Sequence, residues 1–229
     1  MFSSMFIVMS LAGCPLEPVA DATVNDAITI ISREAETGTL LFSKGDCLAV
    51  RIFTKSPFTH VATIVREEDQ ITVYDSMNGV GVRKQSLRDY LKNRGGDVLH
   101  IYHPSQAFDV QKSNKFKQHL EQKIGTPYAV RHHLSGKRGQ GVHCAEYMTD
   151  ALQACNILKA KNPANVSPGS LFRGVTMYNI YQTGQIIALT SAAPAEDEKG
   201  NNRCHQWWID TKVCTWKCCH KLKGWFFCK

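Results

Sequence analysis

β-Branched and apolar residues fill two neighbouring stretches, Val61-Ala62-Thr63-Ile64-Val65 and Ile71-Thr72-Val73-Tyr74, with the polar run Arg66-Glu67-Glu68-Asp69 between them. Such residues on both sides of a charged bend predict an antiparallel hairpin with a four-residue loop. Closing Val65 against Gln70 sets Ile64 opposite Ile71, Ala62 opposite Val73 and His60 opposite Asp75. Strand alternation then directs His60, Ala62, Ile64, Ile71, Val73 and Asp75 to one face. From Cys144 onward the period changes to that of a helix, with Ala145, Met148, Leu152, Cys155 and Leu158 sharing a stripe. The glycine-rich run Ser135 to Gly141 precedes that stripe, so Cys144 is predicted at or within the first helical turn.

The remaining patterns supply scaffold. Ser86 is placed to cap a short helix through Leu91, and Val98 to Tyr102 reads as a strand. Lys115 to Ile124 reads as a helix stopped by Gly125 and Pro127, and Gln185 to Leu189 as a last strand. Leu48 to Ile52 reads as a strand opened by Cys47, a packing residue. Helices and hairpin strands come in blocks rather than in βαβ alternation. That favours an α+β fold in which helices pack on an antiparallel sheet.

Composition narrows the class. At 229 residues with 43% hydrophobic content, the chain suits one globular domain of about 150 residues plus appendages. We divide it into a leader and tether (1–25), a main domain (26–191), a linker (192–203) and a Cys/Trp/Lys-rich tail (204–229). The net charge of +7 is concentrated at one end, because residues 199–229 hold seven Lys/Arg against one Asp. The domain itself is nearly neutral, which argues against a nucleic-acid partner.

The chemistry gathers at three positions. The amide groups and positive dipole end of a helix start favour a thiolate at Cys144, and a nearby imidazolium would lower its pKa further. The same amides suit an oxyanion. Directly opposed strand residues have β-carbons about 5 Å apart, close enough for Asp75 to orient His60. Cys144 is thus the candidate nucleophile, His60 its base and Asp75 the orienting acid. His132, His133 and His143 belong to a Lys/Arg/Gly-rich loop and are read as solvated or substrate-facing, not as metal ligands. The chemistry calls for no cofactor.

These residues also carry a family resemblance. Gly125-Thr126-Pro127-Tyr128, a glycine-bearing loop and His143-Cys144-Ala145-Glu146 resemble the Gly-x-Pro-Tyr and Cys-Ser-Gly/Glu segments of NlpC-type papain-like hydrolases. His60 and Asp75 precede Cys144, an order similar to the circularly permuted branch with the YiiX/YaeF proteins and, more distantly, the lecithin–retinol acyltransferases. Gly45-Asp46 and Phe58-Thr59-His60-Val61 resemble further segments of that branch. The resemblance spans about residues 40–190. It implies a papain-like fold, a cysteine peptidase or amidase activity, and a Tyr128 hydroxyl lining the site. Asp75 stands where a longer or different polar group is usual, and Ala145 replaces the usual serine. The implied substrate is an amide bond in a peptidoglycan-type peptide. The alternatives are a lipid acyl group, hydrolysed or transferred, and a non-catalytic cell-envelope binding module on the same fold.

The ends point to export. Leu11-Ala12-Gly13-Cys14 resembles a bacterial lipobox, although no Lys or Arg precedes Arg33. A lipidated Cys14 with residues 15–25 as tether would place the protein at the cell envelope or periplasm, against a cytoplasmic alternative. The tail holds all four tryptophans and five of the nine cysteines. Cys204, Cys214, Cys218, Cys219 and Cys228 suit two disulfides with one thiol left over; Cys214 and Cys218 with His205 or His220 suit zinc less well. Lys and Trp together also suit attachment to an anionic surface.

Overall fold

The computed structural model describes residues 19–43, 56–129 and 138–190. Cys14 and the leader, Gly45-Asp46, Cys47, the strand expected at 48–52, His132, His133, the linker and the tail lie outside the described residues.

One seven-stranded sheet organises the chain. Its strands are β1 (Val19–Ala22), β2 (Leu40–Ser43), β3 (His60–Glu67), β4 (Gln70–Met77), β5 (Gly81–Ser86), β6 (Val98–Pro104) and β7 (Tyr181–Leu189). Their order in space is β1-β7-β6-β2-β3-β4-β5. All neighbours are antiparallel except the edge pair β1 and β7, which run parallel. The fold is α+β, as the blockwise pattern indicates.

Helices cover both faces. On one side α1 (Val24–Glu34) and α2 (Leu87–Lys92) bury Ala27, Ile31, Leu87, Tyr90 and Leu91 against Leu41, Ala62, Ile64, Val73 and Ile101. On the other, α3 (Val110–Glu121), α4 (Cys144–Ala154) and α5 (Pro168–Met177) bury Phe116, Leu120, Met148, Leu152 and Leu171. Their partners there are Leu40, Phe42, Val61, Val65 and Tyr74. Because β2 is buried on both faces, its Leu40-Leu41-Phe42 reads as a continuous apolar run and carries no alternation.

Two expectations change. The β3–β4 turn uses only Glu68 and Asp69, and Glu68 takes a left-handed φ of 49°. Glu67 therefore pairs with Gln70 and Ile64 with Val73, a register two residues from the expected one. A shift of two preserves the face of every side chain. The expected tether is also too long. Residues 19–22 form β1, and Thr23 caps α1: its hydroxyl accepts from Asp26 N–H at 3.2 Å, while its own N–H donates to the Asp26 carboxylate at 3.0 Å. Ile31 buries against the sheet, so this segment belongs to the domain.

Loss of a cap costs about 1 kcal/mol, and truncation of a buried isoleucine about 2–5 kcal/mol. Thr23→Ala and Ile31→Ala should lower urea stability by those amounts, whereas substitutions in a tether would leave the midpoint unmoved.

Candidate active site

The tip of α4 is fixed from three directions. Cys144 is its first residue and His143 its N-cap. The His143 ring accepts the Glu146 N–H at Nδ1 (3.3 Å), and its Nε2 lies 3.0 Å from the Ala164 carbonyl, to which it donates. Both contacts together require the neutral ring with its proton on Nε2. One residue earlier, the Val142 carbonyl accepts from the Ser76 hydroxyl at 2.8 Å, and Val142 N–H donates to Pro127 O at 3.0 Å. His143 is thus neither a metal ligand nor a substrate-facing loop residue; it holds the helix start in place.

The Gly-x-Pro-Tyr segment is part of the same brace. Val82 N–H donates to Thr126 O, and Gly125 N–H donates to Val82 O, each at 2.9 Å. The backbones approach so closely that a β-carbon at Gly81 would lie 2.4 Å from Thr126 O, and one at Gly141 2.7 Å from Pro127 O. Glycine is required at both crossings.

Strands β3 and β4 pair from Glu67↔Gln70 to Thr63↔Tyr74, and beyond that His60 and Asp75 flank a fork. Ile64 N–H donates to Thr39 O on the β2 side. Backbone groups alternate along a strand, so the Val61 N–H faces the fork instead. There it points at the Cys144 sulfur, together with the Ala145 N–H. In this register His60 and Asp75 are diagonal rather than directly opposed. Their side chains still meet, with Nε2 3.4 Å from Asp75 Oδ2 but without the alignment of a hydrogen bond. Tyr128 lies close enough for Cys144 to perturb it, although burial is the main reason its hydroxyl is raised far above the usual phenol range. Cys155 packs at the far end of α4, as expected of a structural thiol.

The buried Asp75 carboxylate has stronger partners than His60. Arg83 grips it through Nε at 2.9 Å and Nη2 at 3.3 Å, and the buried Arg94 approaches Oδ2 at 3.7 Å. Sequence reasoning missed both arginines. Asn78-Gly79 is a hairpin signal, but the turn that forms there takes three residues, 78–80, and it is this extra residue that pairs Asp75 with Arg83 instead of Val82 across β4 and β5. Arg94 follows α2 and carried no such signal.

These surroundings reverse the expected ionisation. Burial pushes the Cys144 thiol up to about 11; the Val61 and Ala145 amides oppose this and do not overcome it. Burial, and next the charge of Arg94, lower His60 to about 4 against the pull of Asp75. Burial works against ionisation of Asp75, but His60 and Arg83 outweigh it and hold the acid at about 2. The site therefore rests as a neutral thiol, a neutral imidazole and a charged carboxylate, not as a thiolate–imidazolium pair. The helix-end effect is present but smaller than the cost of burying the charge.

Comparison with known proteins follows the same lines. Residues 34–171 match the permuted papain-like amidase enzymes of the YaeF/YiiX, C92 family. A solved relative is the crystal structure of the metalloprotein yiiX from Escherichia coli O157:H7, with a TM-score of 0.51 and 16% sequence identity. That similarity covers 66% of this chain and 97% of that one, and it shows a shared fold. No curated protein matches the chain. Among the described residues no group of three or more His, Cys, Asp or Glu side chains is arranged to hold a metal ion.

Ionisation at His60 sets an acid limit on stability. Its ordinary value is 6.5 and its folded value about 4, so between these the unfolded chain binds a proton that the native chain refuses. Native stability should therefore fall as pH drops from about 6.5 to about 4, by a total on the order of 3 kcal/mol. Urea midpoints for wild type and His60→Gln check this; the variant should lose most of the pH dependence in that window.

Proposed function

The chain belongs to the permuted papain-like amidase family, and on that premise we propose that it cleaves amide bonds in peptidoglycan-type peptides through a Cys144 acyl-enzyme. The observation that carries the reading is the Cys144 sulfur at the first turn of α4, facing the β3–β4 fork that His60 and Asp75 flank.

The chemistry follows from the resting protonation. Asp75 occupies the Nε2 side of His60, which leaves Nδ1 to take the thiol proton as sulfur attacks the carbonyl carbon. The Val61 and Ala145 amides stabilise the charge that develops on sulfur. Of the first-turn amides of α4, that of Cys144 is the one left to serve the oxyanion of the tetrahedral intermediate, because those of Ala145, Glu146 and Tyr147 meet the Cys144 sulfur, the His143 ring and the His143 carbonyl. Collapse expels the amine, which takes the His60 proton and leaves a thioester on Cys144. Water, deprotonated by His60, then adds to the thioester and releases the acid and the free thiol. Tyr128 lines the approach to the sulfur. The NlpC-like motifs support a cell-wall peptide over a lipid acyl group, and the Leu11-Ala12-Gly13-Cys14 sequence supports attachment at the cell envelope.

Mass spectrometry after exposure to peptidoglycan fragments or phospholipid tests the reading. The expected result is a peptidyl adduct on Cys144 and its absence in Cys144→Ala. A fatty acyl adduct would instead make this a lipid enzyme, and binding without any adduct would make it an attachment module. Cys144→Ala should lower kcat/KM at least about 10³-fold. His60→Ala should do the same with a much smaller effect on the urea midpoint. Because His60 must be neutral to accept a proton, kcat/KM of the wild type should hold on acidification until the pH nears about 4.

A further inference from the structure

The carboxylate beside His60 is shared among more groups than orienting a ring requires. Asp75 Oδ1 accepts from Arg83 Nε at 2.9 Å. Its Oδ2 is approached by Arg83 Nη2 at 3.3 Å, His60 Nε2 at 3.4 Å and Arg94 Nη2 at 3.7 Å. Arg94 is 5% exposed, lies 5.2 Å over the Tyr90 ring, and reaches Asp97 at 3.5 Å. Arg83 is held further by Met77, whose sulfur lies 3.1 Å from Nη2. Two guanidiniums from separate elements thus converge on a single acid with no exposure to water.

We propose that Arg83 and Arg94 are positioning residues of the amidase reaction, which clamp Asp75 against His60 and keep the imidazole uncharged and ready to accept the thiol proton. The inference rests on the amidase reading for its catalytic meaning. Its physical content is independent of that reading. A lone carboxylate beside an imidazole favours the charged ring, since the ion pair offsets burial. Here Arg83 already grips both oxygens of Asp75, and Arg94, itself paired with Asp97, brings a second guanidinium to Oδ2. Protonating His60 would add a cation whose neighbouring acid is already held by both arginines. The groups bearing on the ring are Asp75 from β4, Arg83 from β5 and Arg94 from the α2–β6 connection. Asp75 is the acid among them and the arginines hold it; Asp97 lies behind Arg94, 3.5 Å from its Nη1.

The arrangement also has a geometric consequence. Arg83 contacts both carboxylate oxygens, so the plane of Asp75 is fixed by a fork that lysine cannot reproduce. With that plane fixed, Nε2 is the imidazole nitrogen next to the acid and Nδ1 is the one left for the thiol.

Titration of His60 by NMR in the full-length protein decides the matter, its resonance being assigned by loss in His60→Gln. Wild-type His60 should remain uncharged down to about pH 4. Arg83→Gln and Arg94→Met should each raise the titration midpoint, by about one pH unit. Arg94→Lys, which restores the charge, should return it toward wild type. The acid limb of kcat/KM should move upward with the midpoint. A merely structural role would lower kcat at every pH and leave both readouts in place. If folded Arg83→Gln titrates like wild type, the proposal is overturned, and this partly exposed position decides should Arg94→Met fail to fold. If the midpoints move as expected but Cys144 forms no adduct with any amide, the amidase reading fails while the control of His60 by the arginines stands.

Discussion

A carboxylate removed from water stays ionised only where cations surround it, and Asp75 sets that demand on this fold. β5 must run beside β4 so that Arg83 can face it, and the chain leaving α2 must carry Arg94 back beneath it. Arg83 reaches both oxygens of the acid, and Arg94 adds a second cation at Oδ2. Together they make a rigid charged floor under the fork, on which His60 rests as a neutral ring.

The second constraint is the start of α4. Its first amides would be orphans in any buried helix, and each described here has work. The Glu146 amide meets the His143 ring, and the Ala145 amide meets the Cys144 sulfur. Val142, just before the cap, is tied at both its N–H and its carbonyl, to Pro127 and Ser76. Position is therefore set by backbone and cap contacts outside the sulfur itself. The thiol does not have to be charged to be placed, which fits a site whose interior disfavours charge.

Much of this was legible from the chain. Period-2 and period-3.6 patterns located β3, β4 and α4, and the preceding glycines located Cys144 at the first turn. The hairpin register slipped by two because Arg66 and Glu67, polar enough to look like loop, extend the strands. That slip is invisible to an alternation argument, since it keeps each residue on its own face. α1 was legible in the same way but was not read: Val24, Ala27, Ile28 and Ile31 recur at helical spacing behind the Thr23 cap. Ionisation was misjudged for a different reason. A helix start announces itself in sequence, but the depth at which it is buried depends on strands and loops far away along the chain. Arg94 is of the same kind, since only tertiary packing brings it to Asp75.

The parallel pairing of β1 with β7 carries a last implication. Val19 lies opposite Ile187 and Ala22 opposite Leu189, so the domain opens and closes on adjacent strands. Joining those two ends by a crossover long enough to return from the end of β7 to the start of β1, and reopening the chain at the exposed turn of Ser105 and Gln106, would move Cys144 ahead of His60, the order of an unpermuted papain. No strand partner and no side chain at the fork need change. The linear sequence of thiol, imidazole and acid is then a matter of where the polypeptide happens to be cut, and the chemistry belongs to the closed loop that the fold describes.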